Sequence, residues 1–321
     1  MRGKFFGACI LGWLGLFFGA FHAEAQVALT VEMTQLHYLQ YEPVYARVTM
    51  RNVSGHPLAF GENKGLRGEL RFEIDTPSSG RYASLLSRET PTMRGIILQP
   101  GTSRTFTYNV STFYDVRKPG TYVLKAVISH PQLKAAYESG KTQFTIVEGA
   151  TVWESVVGVP KYLQKPEENS SVIATRRYRI VTYNTGNQFL YMLLIEDKDH
   201  IYMVRRLGLD LGANLRPMCA VDDLSRLNVL VAASPKVFAY YQYDVTGKLE
   251  KKEVRIKSET TPRLVVNKDL GTVVLSGGRA ARRDLDYEEI KDLPFIANAM
   301  DENLKDITEG KSIIDETDDK D

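Results

Sequence analysis

Short runs that alternate apolar and polar side chains, each closed by turn-forming residues, constrain this chain more than any other feature. Successive side chains of a strand point to opposite faces, so such runs suit a half-buried strand and do not suit a helix. Val27 to Met33 and Tyr45 to Val53 alternate in this way. Further runs cover Glu69 to Ile74, Arg94 to Leu98, Arg104 to Val110, Thr121 to Ser129 and Thr142 to Val147. Between them stand Ser54-Gly55, Ser78-Ser79-Gly80, Pro100-Gly101 and Pro119-Gly120, which favour turns. Short strands at this spacing predict a two-sheet sandwich.

The stretch Tyr41-Glu42-Pro43-Val44-Tyr45-Ala46-Arg47-Val48-Thr49-Met50-Arg51-Asn52-Val53-Ser54-Gly55 resembles the opening strands of bacterial exported immunoglobulin-like domains. Leu98-Gln99-Pro100-Gly101 and Lys118-Pro119-Gly120-Thr121-Tyr122 resemble the turns before their closing strands. The resemblance implies an Ig-like β-sandwich over residues 26–148, serving as a spacer, docking surface or adhesive module. It specifies a fold far better than a function. The Cys-Trp-Cys pin of antibody domains is missing, so the implied relative is disulfide-free.

Ahead of this region, Arg2 and Lys4 precede an apolar run from Phe5 to Phe21, and Ala23-Glu24-Ala25 supplies small residues for a peptidase. The pattern predicts a signal peptide over residues 1–25, cleaved after Ala25, and a secreted or periplasmic protein with no integral span after cleavage. The apolar run is short for a bilayer span of about 20 residues, and an uncleaved anchor is the alternative. Cleavage removes Cys9 and leaves Cys219 alone, so stability must come from apolar burial rather than an internal disulfide. A chain of 321 residues is long enough for two cores.

Charge is uneven. The total is +2, but residues 299–321 hold nine Asp or Glu against Lys305, Lys311 and Lys320, a net of −6. With so few apolar residues this acidic tail is expected to be disordered, a solubilising extension in the simplest reading and otherwise a tether, a divalent-cation sponge or a clamp on the basic body.

Residues 149–171 read as a linker, with Pro160, Pro166 and a polar run from Glu167 to Ser171. Trp153 within it is expected to pack at a domain interface or to serve as a binding anchor. Residues 172–280 read as a second antiparallel β domain, a meander or sandwich. Its strands are Tyr178 to Tyr183, Phe189 to Ile195, Ile201 to Leu207, Leu227 to Ala232, Val237 to Tyr243, Leu249 to Ile256, Arg263 to Asn267 and Thr272 to Leu275. A short helix is expected within 281–298, starting near Tyr287 on the capping-box spacing of Asp286 and Glu289.

No catalytic motif survives inspection. His37, His56, His130 and His200 are scattered, and paired cysteines are missing, so neither a metal nor a cofactor is expected. Cys219 has apolar neighbours and adjacent Asp222-Asp223, which disfavour a reactive thiolate. Asp222, Asp223, Asp244 and Glu196 could serve a glycosidase only as residues any β protein carries. Two clusters suit binding instead. Arg177 and Arg179 with Arg205-Arg206 could form a basic face for an acidic protein or anionic glycan, against a plainer reading as solvated strand charges. Tyr191, Tyr202, Tyr241 and Tyr243 could form an aromatic row, against ordinary cross-strand packing. Nucleic acid is disfavoured by the near-neutral total. The expectation is a non-enzymatic interaction protein binding a protein or glycan. The alternatives are a hydrolase with its site in the inter-domain groove and a structural spacer of an envelope assembly.

Overall fold

The computed structural model describes residues 26–296 except 77–80, 92, 94 and 165–173. The predicted leader, the acidic tail and the turn at Ser78-Ser79-Gly80 lie outside the described residues. Among the described residues the fold is all-β, as the alternation predicts, with 52% strand, 7% helix and one α-helix.

The N-terminal half contains β1 (Val27–Met33), β2 (His37–Leu39), β3 (Tyr45–Asn52), β4 (Leu58–Phe60), β5 (Glu69–Asp75), β6 (Ile96–Leu98), β7 (Ser103–Asn109), β8 (Gly120–Ser129), β9 (Tyr137–Glu138) and β10 (Thr142–Val147). One sheet has the order β1-β3-β7 and the facing sheet β2-β10-β8-β5, with β9 on β8 and β4 paired to β6. The pairing is antiparallel except where β2 runs parallel to β10. Burial alternates along β1, β3 and β5, and the inward residues, including Met50, Leu70, Phe72, Leu124 and Phe144, make one core. Tyr122, near the start of β8, donates its hydroxyl to the Lys118 carbonyl at 2.8 Å and pins that corner.

The C-terminal half stacks two antiparallel sheets. The first is the meander β11 (Ala150–Gly158), β12 (Thr175–Asn184), β13 (Phe189–Glu196) and β14 (Ile201–Leu209). The second is β15 (Met218–Val221), β16 (Leu227–Ala232), β17 (Val237–Tyr243) and β18 (Leu249–Ile256), and β19 (Arg263–Asn267) with β20 (Thr272–Ser276) forms a separate hairpin. β21 (Arg279–Ala280) then pairs with the end of β18. Tyr178, Ile180 and Leu193 of the first sheet join Val229, Ala239 and Tyr241 of the second in a shared core. Leu264 and Leu275 of the hairpin rest on the outer face of the second sheet, which carries Leu230, Phe238 and Tyr240. Leu39 and Val147 of the N-terminal half pack with Val181, Leu190 and Met192 on the outer face of the first. β13, β16 and β17 are therefore covered on both faces, which is why their sequences are nearly unbroken apolar runs.

Two expectations are corrected. Much of the predicted linker is a strand: Ala150–Gly158 pairs with β12 along its length, with a bulge at Val152. The β-branched and aromatic content of Thr151-Val152-Trp153 favours that outcome, and Pro160 ends it. The helix, α1 (Arg283–Ile290), begins four residues before Tyr287. Asp286, inside the helix, accepts from the Arg282 amide at 2.8 Å and from Arg279 at 2.7 and 2.6 Å, which ties the first turn to β21.

Candidate anion-binding site

The predicted binding arginines separate because adjacent strand residues face opposite sides. On β12, Arg177 and Arg179 both lean on Glu196, at 4.0 and 3.4 Å. Their neighbour Arg176 stacks 3.8 Å from the centre of the Tyr202 ring and reaches Asp197 at 3.1 Å. Asp197 also accepts the Tyr202 hydroxyl and the amides of Asp199 and His200, so Tyr202 belongs to a hairpin-tip network.

Arg206 faces the N-terminal half. There the turn Leu39-Gln40-Tyr41-Glu42, with Tyr41 in the left-handed region at φ 68°, aims the Glu42 carboxylate inward. One oxygen accepts the Leu39 amide at 2.9 Å and the Tyr183 hydroxyl at 2.6 Å. The other accepts Arg206 Nε at 2.7 Å and Nη2. Burial and the Glu42 carboxylate beside it push the Tyr183 hydroxyl pKa up. The groove between the halves, where a hydrolase site was the alternative, is filled here by this pair and by the Leu39, Val181, Tyr183 and Leu190 packing.

Arg205 points the other way, into the space between the two C-terminal sheets. Its guanidinium carbon lies 5.8 Å from the centre of the Tyr243 ring, and Lys252 Nζ lies 5.8 Å from the centre of the neighbouring Tyr241 ring. The two rings are stacked at 6.1 Å. Cross-strand pairing of Tyr241 with Lys252 fixes this placement. Burial, then the nearby Arg205 charge, lowers the Lys252 pKa. Among the described residues no carboxylate forms an ion pair with Arg205 or Lys252. The Tyr243 hydroxyl is buried with the Arg205 guanidinium beside its oxygen, and its proton has no acceptor among the described residues; burial raises its pKa, opposed by the charge and donated proton of Arg205. Two cations and an unused hydroxyl proton converging at a half-buried place can accept a carboxylate, sulfate or phosphate group.

The tyrosine row is corrected: Tyr191, Tyr241 and Tyr243 are buried, because each lies on a strand covered on both faces, and only Tyr202 is exposed. Trp153 is half-buried against the core between the C-terminal sheets, not at the contact between the two halves where it was expected. The remaining candidates are structural. Asp222 holds Arg226 at 2.7 Å and caps its own turn, and Asp244 accepts the Thr246 and Lys248 amides. Burial pushes the Cys219 thiol up to about 12, away from the range of a reactive thiolate. No group of three His, Cys, Asp or Glu is arranged to hold a metal among the described residues. No helix among them is long and apolar enough to cross a membrane. Lys252 escaped the sequence reading because its partner is set by hairpin register; the alternation of Lys252, Val254 and Ile256 was the available signal.

No family model matches the chain, and no curated protein is similar to it. Among solved structures, that of the sporulation control protein Spo0M from Bacillus subtilis is similar over 57% of this chain and 90% of that chain. The sequence identity is 7% and the TM-score 0.23, so the likeness carries no argument about fold or function.

Proposed function

We propose that the chain is exported behind a cleaved leader of residues 1–25 and acts by binding an anionic partner, an acidic protein or an anionic glycan, without catalysis of its own. The observation that carries this reading is the convergence of Arg205, Lys252 and the unused Tyr243 hydroxyl proton. The N-terminal sandwich serves as an Ig-like spacer or docking module. The sheet order β2-β10-β8-β5, the parallel β2–β10 pair and the Tyr122 corner bond support that assignment. Exported protein, with its first residue read as Gln26, is to be titrated with sulfated and uronate oligosaccharides and with acidic peptides. Arg205→Ala/Lys252→Ala is expected to weaken the best probe at least tenfold. Arg177→Ala/Arg179→Ala should change it less than twofold, because Glu196 already balances that pair. Equal losses in the two double variants would defeat the assignment, as would an absence of binding to any anionic probe.

A further inference from the structure

The cationic pair has a complementary segment within the same chain. Ile296, the last described residue, is buried and shares a cavity of about 10 Å³ with Leu207 and Gly208 of β14 and with Val231 and Ala239 of the facing sheet. Two residues along β14 from Leu207, on the same face, lies Arg205. Two residues along β17 from Ala239 lies Tyr241, which pairs with Lys252. Ile296 therefore lies beside positions two strand residues, or about 7 Å along the strands, from Arg205 and Tyr241, with Lys252 one strand further across. After the four uncharged residues 297–300 the sequence turns acidic, with Asp301, Glu302, Asp306 and Glu309 in the first part of a segment, residues 299–321, of net charge −6. An extended residue spans about 3.3 Å, so Asp301 and Glu302 have ample reach.

Building on the reading of the pair as an anion site, we infer that a carboxylate of residues 301–309 docks between Arg205 and Lys252 and accepts the Tyr243 hydroxyl, so that the chain's own acidic segment competes with the outside partner. Docking in cis needs no second molecule, and short chain length keeps the effective concentration of the carboxylates in the millimolar range. An external anion must displace them, which makes the segment a regulator of the site.

Two measurements on the full chain test this. Carbodiimide coupling at low salt joins a carboxylate to an amine with loss of water, and peptide mapping locates the amide. Lys252 is expected to couple to residues 301–309 at least tenfold more than its neighbour Lys251, with the excess abolished by 1 M salt or by Arg205→Ala. In parallel, Asp301→Asn/Glu302→Gln/Asp306→Asn/Glu309→Gln, which replaces no residue of the two cores, should tighten binding of a sulfated oligosaccharide at least tenfold. Coupling of Lys252 no greater than that of Lys251, together with unchanged oligosaccharide affinity in the neutralised variant, overturns the inference. If the oligosaccharide still requires Arg205 and Lys252 in that case, the anion site stands and only its occupation by the segment falls; if it does not, both fall.

Discussion

Replacing Glu42 by alanine should loosen the union of the two halves more than any other single surface-sized change. The carboxylate is 3% exposed and its Arg206 partner 35% exposed. Removing one member of a buried pair costs about 3–5 kcal/mol, and water reaching Arg206 places this case at the lower end. The Leu39 amide and Tyr183 hydroxyl also lose their acceptor, at about 1 kcal/mol for the amide. Glu42→Ala is thus expected to destabilise by about 3–4 kcal/mol, and Arg206→Met, which strands the carboxylate, by about 3 kcal/mol. In the cycle of Glu42→Leu and Arg206→Met each single replacement strands the other charge at about 3 kcal/mol, whereas the double removes both charges and should cost about 1–2 kcal/mol, the lost acceptor for the Leu39 amide and Tyr183 hydroxyl, a coupling of about 4–5 kcal/mol. Trp153, half-buried in the C-terminal core, gives a fluorescence signal for urea unfolding, and amide exchange at Leu39 reads the joint itself. A loss below about 1 kcal/mol for Glu42→Ala, with Leu39 exchange unchanged, would refute the view that this pair holds the halves together.

The remaining predictions concern the same core and joint. Gly149 has φ +76°, and a Cβ there would lie 2.9 Å from Leu39 Cδ1 and 3.2 Å from the Thr182 carbonyl oxygen, so Gly149→Ala should destabilise by about 1–3 kcal/mol in urea unfolding. An unchanged midpoint would show that the chain enters β11 by another backbone path. Cys219, with its thiol pKa near 12, should react with iodoacetamide at pH 7.5 at least 100-fold more slowly in the native chain than in urea. Equal rates would place that thiol at the surface.

Strands with strong local signatures were legible. Val27–Met33, Thr142–Val147, Leu227–Ala232, Val237–Tyr243, Leu249–Ile256 and Arg263–Asn267 have the bounds that pattern and turn residues predict. Apart from Ala150–Gly158, which was read as linker, the strands that escaped, His37–Leu39, Leu58–Phe60, Tyr137–Glu138, Met218–Val221 and Arg279–Ala280, are two to four residues long. Their existence depends on partners remote in sequence, as when His37–Leu39 pairs with Thr145–Val147, so no local period marks them. The tyrosines failed for a related reason. Alternation identifies which side chains share a face, but not that Tyr191, Tyr241 and Tyr243 face the core between the two sheets while the β19–β20 hairpin covers Tyr240 on the other side.

Arg205 and Arg206 show why a site is harder to read than a strand. They are adjacent, equally charged and equally prominent in sequence, yet strand parity sends them to opposite faces. Arg206 meets a carboxylate held by a backbone amide and a tyrosine, an arrangement in which each charge and donor is matched. Arg205 instead meets Lys252, and the Lys252 pKa falls through burial and that repulsion. Matched charges serve the fold, whereas like charges gathered beside a buried hydroxyl proton that lacks an acceptor oppose it. Perturbed groups of this second kind concentrate at functional sites because the ligand supplies the interaction that the folded chain withholds. Of Arg177, Arg179, Arg205 and Arg206, Arg205 alone has no carboxylate partner among the described residues, so a test of the proposed anion site turns on the space between the C-terminal sheets rather than on the outer face of β12.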